Sequence, residues 1–251
     1  MSHKYTDSFE HLSAFGSTQP IRKVVTRSPH RSVGILACSW LQNHPIEYES
    51  QLERRFLQQI LILPIVKRVV HQPFRLEYLE GGTTRTYVPD FLLLLSDGVM
   101  VVVEVKPRKF LKDHHHKLAE AQRILAEKNM PFLVITDKEI DDEIKVDNAS
   151  YLLRFARGSA SDEAKHRCLE TLRASPDGLR LDELIRKSGV PERDVLYFIG
   201  RTTLSIDTSK LITNATIVHI PKEEQHDYLH FINWFNTAPG HAIAGIQENA
   251  Q

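Results

Sequence analysis

Cysteine is scarce: the 251 residues contain only Cys38 and Cys168, far apart and without a CxxC neighbour. That spacing supplies neither a disulfide framework nor a zinc site, and both thiols are expected to be reduced. Long apolar runs are missing too. The longest, Phe91 to Leu95 and Val99 to Val103, fall far short of the roughly 20 residues that cross a bilayer, so no membrane span is expected and both read as buried strands. The N-terminus interleaves Lys4, Asp7 and Glu10 with Ser and Phe. It has neither the apolar core of a signal peptide nor the acid-poor character of a transit peptide, and a cytoplasmic location is expected. There is no excess of either charge, with 32 basic and 32 acidic residues, so the chain as a whole does not advertise a polyanionic partner. Also absent are a phosphate-binding P-loop, which sets aside ATP hydrolysis, and a G-x-S-x-G elbow.

What is present is the composition of a globular protein, 41% apolar and 25% charged. The charge is unevenly spread. Arg22, Lys23, Arg27 and Arg31 crowd an N-terminal arm, and Lys106, Arg108, Lys109, Lys112 and Lys117 crowd a central stretch. These are two candidate basic contact patches.

The periodicity predicts a helix from Ile46 to Leu63, with Leu52, Phe56, Leu57, Ile60 and Leu61 on one side and Pro64 ending it. Three strand-like segments follow, Val69 to Leu79, Tyr87 to Leu95 and Val99 to Val105, with Gly81-Gly82 and Asp97-Gly98 able to supply tight reversals. Phe110 to Asn129 has helical spacing and precedes the apolar run Phe132 to Ile135. Helix, meander, crossover helix and returning strand make an α/β sandwich. Gly158-Ser159-Ala160-Ser161 is the best linker candidate. Beyond it, helical patterns at Asp162 to Ala174, Leu181 to Ser188 and Arg193 to Gly200 precede strand-like Ala215 to Ile220. The last part therefore resembles a winged-helix domain, with Pro191 opening its third helix. The expected division is a basic arm at 1–34, an α/β domain at 35–157 and a winged-helix-like domain at 162–251.

The chemistry concentrates in Pro89-Asp90 and, thirteen residues on, Glu104-Val105-Lys106. In a strand Glu104 and Lys106 share one face, while Val101, Val103 and Val105 share the other. Charge on an otherwise apolar strand is costly unless it is paired or binds a metal. A hairpin turning at Asp97-Gly98 brings Asp90 beside Glu104. Two adjacent carboxylates repel, and a hard divalent cation on oxygen ligands, Mg²⁺ above all, removes that penalty. The site read from these residues is a metal held by Asp90, Glu104 and the Val105 carbonyl, acting on a phosphodiester, with Lys106 orienting water or stabilising developing charge. Glu53 lies on the apolar stripe of the first helix, where a carboxylate needs a reason; it is a candidate fourth member, as ligand or through water. Glu49 and Gln72 are weaker candidates. His114-His115-His116 is discounted as a metal tract, because consecutive helical residues point about 100° apart.

Taken together, Ser50-Gln51-Leu52-Glu53, Gln72-Pro73, Pro89-Asp90-Phe91, Glu104-Val105-Lys106-Pro107 and Ile135-Thr136-Asp137-Lys138-Glu139-Ile140 resemble the TnsA family over roughly residues 20 to 155. TnsA is the endonuclease subunit of a heteromeric cut-and-paste DNA transposase. The resemblance implies a restriction-endonuclease-like fold and Mg²⁺-dependent cutting, with Mn²⁺ able to substitute, of the 5′ (non-transferred) strands of double-stranded DNA at transposon ends. It implies a catalytic set of Glu53, Asp90, Glu104 and Lys106, and two partners: a TnsB-type transposase and a TnsC-type AAA+ regulator. The family's best-known member has Gln where this chain has Glu104, the better metal ligand of the two. Two other readings compete, a nuclease of the same fold acting alone and a binding module retaining an inactive nuclease fold. The acidic first turn of the third C-terminal helix, Glu192 and Asp194 around Arg193, favours protein over a DNA groove as its contact. The aromatic tail, Tyr228 to Phe235, is expected to pack on a core.

Overall fold

The computed structural model describes residues 32–222 and 227–240. Its contacts divide these into two units, one of residues 32–54, 65–140 and 227–240, the other of residues 55–64 and 141–222. The basic arm with Arg22, Lys23, Arg27 and Arg31 lies outside the described residues.

The first unit begins with β1 (Gly34–Leu36) and β2 (Ile46–Tyr48), an antiparallel pair. This pairing takes the start of the predicted first helix into a strand, so α1 spans only Gln51–Ile60. Next come β3 (Val66–His71), β4 (Leu76–Glu80), β5 (Thr83–Tyr87), β6 (Phe91–Leu95) and β7 (Met100–Val105). The three expected strands are thus five. The stretch from Val69 to Leu79 breaks where Gln72 adopts a positive φ of 45° and Pro73 can donate no ladder hydrogen bond. The stretch from Tyr87 to Leu95 breaks at Pro89-Asp90. Between the two breaks, β4 and β5 leave the sheet as a hairpin of their own, turning at Gly81 and Gly82, both at positive φ.

The main sheet has the order β3-β6-β7-β8, with β8 at Phe132–Ile135. Strands β3, β6 and β7 are antiparallel neighbours, and β8 lies parallel to β7. That return is made by α2 (Leu111–Glu127), the expected crossover helix, entered through a 3-10 turn at Arg108–Phe110. At the β6 to β7 turn Gly98 has φ 87°, and the Asp97 carboxylate accepts from Val99 N at 3.0 Å. Val70, Leu92, Val102 and Val134, one from each strand, pack in one buried cluster with Leu118, Ala121 and Leu125 of α2. Each fully buried leucine there contributes about 1.5–3 kcal/mol, which fixes the α2 face that meets the sheet. The short α3 (Asp137–Ile140) follows β8.

The second unit holds α4 (Glu143–Ala156), α5 (Asp162–Arg173), β9 (Leu179–Arg180), α6 (Leu181–Ser188), α7 (Glu192–Gly200) and β10 (Ile217–Val218). Strands β9 and β10 pair antiparallel. The expected boundary near 158–161 falls inside this unit, because α4 packs on α7. A Cβ on Gly200 would stand 2.5 Å from the Leu152 carbonyl oxygen and 3.1 Å from the Ala156 Cβ, and Arg201 Nε donates to the Ala156 carbonyl at 2.8 Å. Gly200→Ala is accordingly expected to cost about 1–3 kcal/mol by overpacking, read as a lower urea midpoint. Pro191 stands at the N-cap of α7, one position before the helix it was expected to open.

The tail belongs by its contacts with the first unit and not with α5 to α7. In α8 (Asp227–Trp234) the Asp227 carboxylate accepts from the Ser96 hydroxyl, and Tyr228 N donates to Asp97 at 3.3 Å. Phe231 and Phe235 are fully buried with ring centroids 5.2 Å apart. The tail therefore helps close a core, as expected, but that of the first unit and not that of the 162–251 domain to which the sequence assigned it.

Candidate active site

The two chain breaks, at Gln72-Pro73 and at Pro89-Asp90, meet at one end of the main sheet. Along the β6 to β7 register Phe91 faces Val103, so one step further places Asp90 opposite Glu104. Asp90 spans both neighbouring strands. Its carboxylate accepts from Val105 N at 2.8 Å, and its carbonyl accepts from Gln72 N at 2.7 Å. The positive φ of Gln72, which costs a residue with a side chain on the order of 1–3 kcal/mol, is what delivers that amide. Among the described residues no donor reaches the second Asp90 carboxylate oxygen.

Glu104 is 2% exposed. Its two oxygens are held separately, Oε1 by Lys106 Nζ at 3.0 Å and Oε2 by the Tyr87 hydroxyl at 2.6 Å. Glu104 and Lys106 thus share a strand face as their spacing predicts. Glu53 sits in the first turn of α1 and does two things. Its carboxylate accepts from Glu49 N at 2.7 Å and from the Ser50 hydroxyl at 2.8 Å, while Ser50 Oγ accepts from Glu53 N at 3.1 Å. This reciprocal pair is a capping box at the helix start. The same carboxylate lines a narrow cleft with Glu49, Gln72 and Asp90, and Gln72 Nε2 donates to Glu49 at 2.9 Å.

The electrostatics are those of too many acids in too little water. Burial first, then the charges of Glu104 and Glu53, push the Asp90 carboxyl well above its ordinary range. Burial likewise raises Glu53, against the lowering effect of its Glu49 and Ser50 hydrogen bonds and with Glu49 and Glu104 adding to the rise. For Lys106 burial disfavours the ammonium, but Glu104 and then Asp90 outweigh it and the net shift is upward. The neighbouring carboxylates thus favour the charged form of Lys106. The donors are all oxygen, as a hard divalent cation requires, and added positive charge would offset the repulsion. Among the described residues no group of three or more His, Cys, Asp or Glu closes into a cage.

Two participants carried no signal of their own in the sequence. Tyr87 read only as the start of a strand and Lys117 only as one of a basic run, yet Tyr87 donates to Glu104 and Lys117 Nζ lies 4.9 Å from the centre of the Tyr87 ring. The histidines diverge, as helical geometry requires. His116 approaches Glu80 at 3.8 Å, His115 Nε2 is buried without a partner, and His114 is pushed down by burial and then by Lys117 and Lys106.

A mixed sheet with two carboxylates and a lysine at one end is compatible with a restriction-endonuclease-like fold. Residues 63–137 match the model of the TnsA-like endonuclease N-terminal domain. Over that stretch, from β3 to the start of α3, the chain is similar to the TnsA-like endonuclease domain, which supports a nuclease role connected with transposition. Asp90, Glu104 and Lys106 fall inside the match, and Glu53 falls outside it. No curated protein matches the chain. No described helix is long and apolar enough to cross a membrane.

Proposed function

We propose that the chain is a Mg²⁺-dependent DNA endonuclease that cuts the 5′ strands at transposon ends, working with a TnsB-type transposase and a TnsC-type AAA+ regulator. The observation that carries this reading is the meeting of Asp90, Glu104 and Lys106 within the stretch that matches the TnsA-like endonuclease domain. Asp90, Glu104 and the Val105 carbonyl would hold Mg²⁺, or Mn²⁺ in its place; when bound, the ion supplies Lewis-acid polarisation of a phosphodiester oxygen and a more acidic water. Glu53, whose oxygens already cap α1, reaches the ion through water. Lys106 keeps its charge and faces the negative charge that develops as the phosphate becomes five-coordinate. Asp90, tied to two strands by main-chain hydrogen bonds, is a preorganised ligand needing no reorganisation when DNA arrives.

In the second unit, the order α5, β9, α6, α7, β10, with β9 and β10 paired antiparallel, supports a winged-helix-like module. Its α7 buries Val195, Leu196, Phe198 and Ile199 and opens with Glu192 and Asp194, which favours a protein surface over DNA as the contact of that module.

The test is Asp90→Ala in a reconstituted transposition reaction. Loss of 5′-strand cutting with 3′-strand joining retained, giving cointegrates in place of simple insertions, is expected. Clean double-strand excision by the variant overturns the site. Cutting of naked duplex by the wild-type chain without partners supports a nuclease acting alone instead.

A further inference from the structure

Lys117 is a partly buried cation on α2 with no carboxylate at ion-pair distance among the described residues. Unpaired ammonium groups are seldom withdrawn from water without a use. Its ammonium lies over the face of Tyr87, 4.9 Å from the ring centre. That ring is buried, meets Phe132 edge-on at 6.5 Å, and spends its hydroxyl on Glu104. The ring is therefore a fixed platform: its edge holds a site carboxylate and its face holds a cation. On the same chain segment Arg108, Lys109 and Lys112 are exposed near the start of α2, so the positive charge continues outward along the helix.

We propose that Lys117, seated on Tyr87, binds a non-bridging oxygen of a DNA backbone phosphate beside the cleavage site, and that Tyr87 positions Glu104. The inference rests on the nuclease reading above. The two residues have opposite consequences for the ion. Loss of the Tyr87 hydroxyl frees one Glu104 oxygen to rotate and loosens the carboxylate; loss of the Lys117 charge removes a like charge from its neighbourhood.

The experiment compares the full chain with Lys117→Gln, Lys117→Arg and Tyr87→Phe. Binding of a fluorescein-labelled duplex in CaCl₂ is followed by anisotropy at stepped salt, and MnCl₂ binding by calorimetry without DNA. Lys117→Gln is expected to reduce the slope of log affinity against log salt by about 1 and to weaken low-salt binding about fivefold. It leaves Mn²⁺ binding unchanged or tighter, and Lys117→Arg restores the slope. Tyr87→Phe retains the ring, hence the slope, but weakens Mn²⁺ binding by roughly 10–100-fold. A wild-type slope in Lys117→Gln, or no duplex binding by the wild-type chain at any salt, overturns the phosphate contact. Weaker Mn²⁺ binding in Lys117→Gln makes it a prop for Glu104 and overturns the assignment as well. Unchanged Mn²⁺ binding in Tyr87→Phe overturns the positioning role. Asp90→Ala separates the two layers: full cutting by that variant overturns the Asp90 site, and with it the place of Lys117 beside the cleavage site, even where the Lys117 slope has shifted.

Discussion

Asp90→Asn is expected to make the metal-free chain more stable at neutral pH while removing cleavage. An amide in that place keeps an oxygen to accept from Val105 N but no longer adds charge beside Glu104 and Glu53. A typical point substitution costs about 1 kcal/mol; here the sign reverses, because the charge removed is one that folding opposes. The pH dependence follows from the same shifts. Asp90 and Glu53 are both raised by burial first and neighbouring carboxylates after it, so the folded chain binds protons more tightly than the unfolded one. The contribution of these two groups to metal-free stability is therefore greatest below the ordinary carboxylate range, near pH 4, and is lost as pH rises from there through the raised values. Asp90→Asn flattens that decline. Thermal melts from pH 4 to 8, with and without MgCl₂, measure it. The wild-type chain should be stabilised by the ion at neutral pH and the variant hardly at all, with activity reduced by at least the roughly 10²–10³-fold that follows loss of one electrostatic stabiliser. A variant less stable than wild type across the whole range contradicts the account.

Lys106→Met is expected to produce the opposite pairing, loss of activity together with loss of stability. Lys106 Nζ pairs with Glu104 Oε1 at 3.0 Å, and Glu104 is almost wholly buried. Removing one partner of a buried pair leaves an uncompensated charge and costs about 3–5 kcal/mol. Met preserves most of the stem, so the loss reports charge and not packing. Urea unfolding should show it, and MgCl₂ should recover part of it. Lys106→Arg, which keeps the charge, should fold as wild type, so equal destabilisation by Met and Arg would mean that shape, not charge, matters here.

The local pattern carried much of the architecture. Tight apolar spacing placed α2 and β8, and Asp97-Gly98 placed the β6 to β7 turn, because these depend on neighbours within a few residues. The first helix was overextended because Ile46 to Tyr48 is equally at home in a strand, and only pairing with Gly34 to Leu36 decides between them. The two chain breaks were missed for a related reason: an apolar run does not say where its backbone leaves the sheet, although Pro73 and Pro89 marked both places. Composition likewise placed a boundary at Gly158 to Ser161, where a glycine on α7 instead allows α4 to pack closely.

At the site, Asp90, Glu104 and Lys106 were readable because strand alternation and a hairpin turn are short-range geometry. Their acidity was not, since a carboxyl's proton affinity depends on burial and on charges from other elements. Tyr87 and Lys117 were invisible as a unit: thirty positions separate them in sequence, and only the packing of α2 on the sheet brings the ammonium over the ring. What this chain's sequence determined by itself was a pair of carboxylates and a lysine at hairpin spacing on an apolar strand. What tertiary structure decided was how those charges are held, through a strained Gln72 that supplies an amide to Asp90 and a buried tyrosine that takes half of Glu104. The division is physical: alternation and turn chemistry act between neighbours in the chain, whereas desolvation and Coulomb forces act between neighbours in space.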